Sequence, residues 1–251
     1  MRTPDIAVVM PAFNEADGIE EFLVDLQKSF LDQGIGAVFC IVDDRSTDGT
    51  AEVAAAVAGH LGIDLVIDRN VANLGHGPTS LAAWEAGLAT GAPWIVHVDG
   101  DGQYEGADVV RVATVAGGDG ALGIRTTRAD PWFRKMLSRL LRVYVRTLSG
   151  VKPRDANTPL RAYRREALQE LLSVLPRRPM VPSVYLSAAG HTKGLELVEV
   201  PVHSRPRRGQ DSTGTMWGGG RLRALLPSRR LVGFVWGAFV ESISVLRSLR
   251  R

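Results

Sequence analysis

The sequence predicts an α/β protein with a mostly parallel central sheet, helices on both faces and a basic C-terminal helical extension. Three observations carry that prediction. Short, continuously apolar runs alternate with stretches of helical spacing, polar clusters follow three of those runs, and the charge balance reverses near residue 124. Apolar runs without period-two alternation suit strands buried on both faces, as in a parallel sheet covered by helices.

The runs are IAVVM (6–10), AVFCIV (37–42), DLVI (64–67) and WIVHV (94–98). PAFNE follows the first, DDRSTDGT the second and DGDGQ the fourth. Ligands of such sheets bind beyond the carboxyl ends of the strands, so the chemistry is expected along one edge. Ser46, Thr47 and Asp48 precede the helical TAEVAAAVAGH, which assigns Asp48 to capping rather than to a ligand. In NLGHGPTSLAAWEAG, Gly75 and Gly77 stand before an alanine-rich helix, as in a phosphate-cradling loop, but the lysine and spacing of a P-loop are missing.

After Gly123 the spacing predicts a helix from Pro131. Lys135, Arg139, Arg142 and Arg146 form a stripe on it, opposite Phe133, Leu137, Leu140, Tyr144 and Leu148, while Arg134 and Ser138 share a third face. The stripe suits a solvated face as well as an anion-binding one. Residues 203–251 hold ten arginines against Asp211 and Glu241, and include the apolar run LVGFVWGAFV. Ten apolar residues fall short of the roughly 20 that span a bilayer, which leaves an interfacial segment or a buried helix.

With 251 residues, 45% hydrophobic, the chain is long enough for one well-cored domain. Its single cysteine, Cys40, excludes an intrachain disulfide and fits a reducing compartment. No secretory leader or membrane span is legible, so a soluble or peripheral protein is expected. Residues 1–124 carry 5 Lys/Arg against 19 Asp/Glu, and residues 125–251 carry 25 against 8. A basic half of this kind suits nucleic acid or an anionic membrane, and equally phosphate-bearing substrates held between an acidic metal face and a basic one. Nucleic acid is disfavoured, because acids at the strand ends repel a polyanion and no nucleic-acid module is present.

Asp99 and Asp101, one residue apart at a strand end, suit a hard divalent cation such as Mg²⁺ or Mn²⁺. The same pair also fits general acid/base work or a solvated turn. The five histidines show no ligand-like spacing, so His76, His97 and His203 are expected to stand outside the chemistry.

The motifs occur in a recognisable order. PAFNE (11–15), VDDRSTDGT (42–50), NLGHGPTSLAAWEAG (73–87), DGDGQ (99–103), GIR (123–125), RKMLSR (134–139), DANTPLRAYRREAL (155–168) and EVPVHSRPRRGQDS (199–212) together resemble glycosyltransferase family 2. Within that family the likeness is to the polyprenyl-phosphate mannosyltransferases. The resemblance implies a GT-A, Rossmann-like catalytic domain over 1–202, with a nucleotide half (1–124) and an acceptor half (125–202). Residues 203–251 would then be an Arg-rich mobile loop and an amphipathic, interfacial segment.

The resemblance also implies residue roles. Pro11, Phe13, Glu15, Val42 and Asp44 would line the nucleoside pocket, and Asp99, Asp101 and Gln103 would surround Mg²⁺ or Mn²⁺, with Gly100 close to the donor. Arg125 and Arg207 would meet the donor diphosphate, and Arg134 and Ser138 the acceptor phosphate. The implied activity is inverting transfer of a hexose to a polyprenyl phosphate, with GDP-mannose the favoured donor. A UDP-sugar donor with a hydroxyl acceptor, for which Asp155 would be the candidate base, and an inactive sugar-nucleotide-binding scaffold are the alternatives. A peripheral protein on the cytoplasmic membrane face is implied, held by its own C-terminus or by a separate anchor protein. The family's DADLQ reads DGDGQ here, and glycines at 100 and 102 are expected to widen the site or loosen its hold on metal. The late loop departs from the family spacing, and Arg207 is preferred over Arg205 and Arg208 as its functional arginine.

Overall fold

The structure is a computed structural model and describes residues 4–115, 117–126, 139, 143, 145–147, 150, 154–208, 233, 237–238 and 240–245. The four apolar runs form strands β1 (Ile6–Ala12), β2 (Ala37–Asp43), β3 (Leu65–Arg69) and β4 (Trp94–His97). Between and after them lie helices α1 (Ala16–Asp32), α2 (Thr50–Leu61), α3 (His76–Ala89) and α4 (Gly106–Val115). The second half adds β5 (Gly120–Arg125), β6 (Arg161–Arg164), α5 (Arg165–Leu172), α6 (Pro182–Thr192) and β7 (Leu197–Val202). One seven-stranded sheet results, in the order β3-β2-β1-β4-β6-β5-β7.

Alternate residues of β1, β2, β4 and β5 feed two separate cores. Val8, Met10, Phe39, Ile41 and Val96 pack with Ile19, Phe22 and Leu26 of α1 and with Val109 and Val112 of α4. Val9, Val38, Cys40, Ile95 and Leu122 face the other way, onto Trp84 of α3, Leu168 of α5 and Leu186 of α6. Burial on both faces explains why the runs of β1, β2 and β4 are apolar nearly throughout, whereas β3, at the edge of the sheet, leaves Val66 exposed. Gly87 lets α3 approach closely, since a Cβ there would lie 2.5 Å from Val9 and 2.8 Å from Ile95. Cys40 is an inert core residue whose thiol burial pushes up to about 12.

Strand direction decides what reaches the active edge. β1, β2, β3 and β4 run parallel, whereas β6 is antiparallel to both β4 and β5. β5 therefore points the same way as β4, and β7 is parallel to β5. Consequently the ends of β1, β2, β4, β5 and β7 and the entrance to β6 lie along one edge. That edge collects Glu15, Asp44, Asp99, Arg125, the segment before β6 and residues 203–208.

Of the basic helix expected from Pro131, residues 139, 143 and 145–147 are described and helical, with Arg139 and Arg146 exposed and Val145 buried. The exposure of the two arginines suits a solvated stripe. In the C-terminal region, Glu241 Oε2 accepts the Met180 N–H at 2.7 Å and lies 2.7 Å from the Tyr185 hydroxyl. Ser242 and Val245 are buried on that side, whereas Val240 and Ile243 are exposed. The described part of this helix thus packs on α6 by one face. Among the described residues no helix is long and apolar enough to cross a membrane.

Candidate active site

The loops after β1 and β2 are stitched together before any ligand is considered. Asn14, in the left-handed region at φ 54°, donates its N–H to Ser46 Oγ and accepts the Thr47 N–H on Oδ1, each at 2.9 Å. The Glu15 N–H reaches Thr50 Oγ1 at 2.9 Å. Asp48 takes the capping role its position predicts, on two helices at once. Its Oδ1 accepts the Thr50 N–H of α2 at 3.0 Å, and its Oδ2 accepts the Ala16 N–H of α1 at 2.9 Å. The Thr50 hydroxyl, which donates to Oδ1 at 2.6 Å, and these two N–H groups hold the Asp48 carboxyl below its usual range despite partial burial.

Asp43 and Asp44 are both buried. Asp43 Oδ2 lies 2.9 Å from Arg69 Nε. Asp44 accepts the Leu74 and Gly75 N–H groups and an Asn70 side-chain N–H, all at 2.8 Å. The glycine-rich entry to α3 is therefore anchored by a carboxylate of the protein. Gly77 serves packing, because a Cβ there would lie 1.7 Å from the Pro179 carbonyl oxygen. Val42, 2% exposed, belongs to the core beneath α3, so only its backbone is at the edge. Pro11 is buried at the end of β1, its carbonyl accepting the Gly100 N–H at 3.1 Å, and Phe13 is half-buried.

Glu15, Asp99 and Asp101 form the acidic centre. Asp99 Oδ1 is buried without a hydrogen-bond partner among the described residues. Asp101 Oδ1 accepts the Gln103 N–H at 3.2 Å. Burial and the neighbouring Asp99 push Asp101 up to about 7, against the pull of Arg207. Glu15 is pushed up to about 8 by burial, opposed by Arg207 and reinforced by the two aspartates. Among the described residues no three acids or histidines are grouped closely enough to hold a metal ion by themselves. The Asp99 and Asp101 pair, with the orphaned Asp99 Oδ1, offers hard oxygens of the kind Mg²⁺ or Mn²⁺ takes. His76 Nε2 is 4.0 Å from Asp99 Oδ1, nearer the acids than the sequence suggests. The turn at Gly75, with φ 85°, is what carries it there.

Residues 203–208 cross this centre. The Arg205 N–H donates to the Gln103 carbonyl at 2.9 Å and the Arg208 N–H to the Asp101 carbonyl at 3.0 Å. Of the three arginines, Arg207 turns inward. Its Nη2 contacts Glu15 Oε1, and its Nε is 3.5 Å from Asp101 Oδ2. Arg205 pairs with Glu105, and Arg208 with Glu21 and Asp25. Gly102 does not widen the site as expected: a Cβ there would lie 2.7 Å from Arg208 Cγ and Cδ, so the arginine fills the space. Gly100 lies against β1, where a Cβ would be 3.1 Å from the Pro11 oxygen and 3.2 Å from Ala12 Cβ.

Arg125 is forked onto Asp155, Nε to Oδ2 at 2.7 Å and Nη2 to Oδ1 at 3.0 Å, with Nη2 also on the Asn157 carbonyl. Asp155 is thus engaged by an arginine, whereas the hydroxyl-acceptor alternative would use it as a base. Arg134 and Ser138 lie outside the described residues. Sequence reasoning overlooked Arg161, which is fully buried and donates to the Thr158 carbonyl, Tyr163 Oη and Ser187 Oγ beneath the entrance to β6.

Comparison with known proteins bears on this geometry. The chain is 30% identical over 203 residues to polyprenol monophosphomannose synthase of Mycolicibacterium smegmatis, covering 78% of this chain and 75% of that one. It is 29% identical over 217 residues to undecaprenyl-phosphate 4-deoxy-4-formamido-L-arabinose transferase of Aeromonas hydrophila, covering 84% of this chain but only 63% of the relative's length. Glucosyl-3-phosphoglycerate synthase of Mycobacterium tuberculosis, solved with Mn²⁺ and UDP-glucose, superposes with TM-score 0.65 at 20% identity, over 97% of this chain and 79% of that one. A Pyrobaculum calidifontis mannosyltransferase, solved with GDP-mannose and Mn²⁺, gives 0.57 at 18% identity, over 100% and 74%. At these identities the structures establish the GT-A fold. Residues 7–172 match the model of glycosyl transferase family 2, and with the acid-bearing strand ends in place the chain belongs to that family.

Proposed function

We propose that the protein moves a hexose, mannose from GDP-mannose in the favoured reading, onto the phosphate of a polyprenyl phosphate, with inversion at the anomeric carbon. One observation carries the proposal: Glu15, Asp99 and Asp101 converge at the strand ends with Arg207 laid across them. The relatives favour the acceptor class. Polyprenol monophosphomannose synthase and the undecaprenyl-phosphate transferase differ in the sugar they name but share a polyprenyl carrier.

In this reading Asp99, Asp101 and Gln103 hold Mg²⁺ or Mn²⁺. Such a cation supplies positive charge against the donor diphosphate and lowers the cost of its departure. Arg207 adds forked, charge-assisted hydrogen bonds on the same side, strongest as charge develops on the leaving group. An acceptor phosphate oxygen forms its bond to the anomeric carbon as the bond to the diphosphate oxygen breaks, and the electron pair leaves with the nucleoside diphosphate. The acceptor is already an anion near neutral pH, so no general base is required. That agrees with Asp155 being held by Arg125. Arg134 and Ser138 are proposed to receive the acceptor phosphate. Arg229, Arg230, Arg247, Arg250 and Arg251, which flank LVGFVWGAFV, are proposed to meet an anionic membrane surface on the cytoplasmic side, alone or beside a separate anchor protein.

The test is a panel of GDP-mannose, UDP-glucose and related donors with Mg²⁺ or Mn²⁺ and a polyprenyl phosphate, followed by organic extraction. Label from GDP-mannose should pass to the lipid phase and should vanish with chelator. Transfer from a UDP-sugar alone overturns the donor, and no transfer from any donor favours a sugar-nucleotide-binding scaffold.

A further inference from the structure

We infer that Arg208 is a positioning residue: it locks residues 203–208 onto α1 through a seat left open by Gly18 and Gly102, and thereby holds Arg207 between Glu15 and Asp101. The positioning of Arg207 matters to turnover only if the transferase reading above holds, whereas the seat itself is a property of the chain.

The seat is built from two sides. On α1, Gly18 and Phe22 are one turn apart, as are Glu21 and Asp25. Gly18 faces the Arg208 backbone, since a Cβ there would stand 2.6 Å from the Arg208 carbonyl oxygen. The Arg208 guanidinium carbon is 5.6 Å from the centre of the Phe22 ring. Its Nη1 donates to Glu21 Oε1 at 2.8 Å and its Nη2 to Asp25 Oδ2 at 2.5 Å. On the other side, Gly102 adopts φ 63° and leaves room for the Arg208 stem. The Arg208 N–H and Nε donate to the carbonyls of Asp101 and Gly102, at 3.0 and 3.3 Å.

The arginine side chain is 11% exposed, far less than a surface ion pair. Planar guanidinium, ring face and two carboxylates together restrict it to one pose, which an ammonium only partly reproduces. Arg207 is the next residue back along the chain, so its backbone position is set by this seat. Its own contacts are with two carboxylates of the acidic centre. Gly102 departs from the family motif where a longer side chain would displace the Arg208 stem.

The test uses the full-length chain and three variants: Arg208→Met, Arg208→Lys and Gly18→Ala. The first readout is amide hydrogen exchange at Arg205 and Arg208, which needs no substrate. Arg208→Met should lower protection there at least tenfold while β1 and β4 stay protected, and Arg208→Lys should restore part of it. Gly18→Ala improves helix propensity, yet its Cβ should loosen the same amides. The second readout is steady-state transfer with Mn²⁺, in which Arg208→Met should lower kcat on the order of tenfold or more and leave the donor KM within about threefold, as expected of a misplaced catalytic contact. Unchanged exchange in Arg208→Met and Gly18→Ala overturns the seat. Lost protection with unchanged kcat overturns the positioning of Arg207. If the unmodified chain transfers nothing, the proposed function fails while the exchange result still judges the seat.

Discussion

Asp101 and His97 sit four residues apart and show two opposite uses of burial. Asp101 is raised to about 7 by burial and by Asp99, which marks it as a group waiting for positive charge. Asp101→Ala should abolish metal-dependent transfer and leave the far-UV circular dichroism spectrum intact, because the side chain lies in the site rather than the core. Normal turnover by that variant would refute the mechanism. His97 is stacked on Trp84 at 4.8 Å, and its Nδ1 faces the Pro159 carbonyl at 2.9 Å. A carbonyl only accepts, so Nδ1 carries a proton. Burial holds the pKa of the ring down, to about 4. The unfolded histidine takes up a proton below about 6.5, so stability should fall as pH drops from about 6.5 towards 4, by at most about 1.4 kcal/mol per pH unit. His97→Asn, which keeps an N–H for Pro159, should flatten that acid limb in thermal melts at several pH values. An unchanged slope would mean that another group titrates. Both acids of DGDGQ were legible from a strand end followed by D-x-D, whereas the spacing that set His97 outside the chemistry gave no sign of its stack on Trp84.

At the level of elements, the loops after β1 and β2 are tied to each other as well as to their own strands. Asp44 closes β2 and satisfies two N–H groups at the entry to α3, some thirty residues away in sequence. Asp44→Asn leaves one of those amides facing an amide donor or no partner, and should cost about 1–3 kcal/mol in denaturant unfolding. It should also weaken nucleotide-sugar binding, since the α3 entry carries His76 towards Asp99. A stability loss below about 0.5 kcal/mol would show that the amides find other partners. β6 is the element whose effect was least legible. Its four residues, RAYR, carry no sign of direction, yet the antiparallel pairing with β4 is what brings Asp155 and Asn157 to Arg125.

For the whole molecule, the acidic and basic halves meet along one sheet edge, and the C-terminal region adds further cationic charge. A chain ending at Met216 should co-sediment less with anionic liposomes, with the difference shrinking as salt is raised. Because truncation also removes Glu241 from Met180 and Tyr185, replacing Arg247, Arg250 and Arg251 by Gln in the full-length chain separates lost charge from lost packing. Equal co-sedimentation of all forms would reject a membrane role for this segment. The alternation of apolar runs with helical spacing was enough to predict the sheet, because β1, β2 and β4, buried on both faces, are apolar nearly throughout. The D-x-D after the fourth run put Asp99 and Asp101 on the acidic edge, and the family resemblance carried by PAFNE added Glu15. Only the tertiary structure decided that Asp44 anchors the α3 entry, that Arg125 is held by Asp155, and that Gly102 is a seat for Arg208 rather than a gap. The physical reason is range. Local pattern records which residues must be buried, but Arg208 meets Glu21 and Asp25 across 187 and 183 residues of chain, and such a pairing exists only once strand order and direction have set the distance.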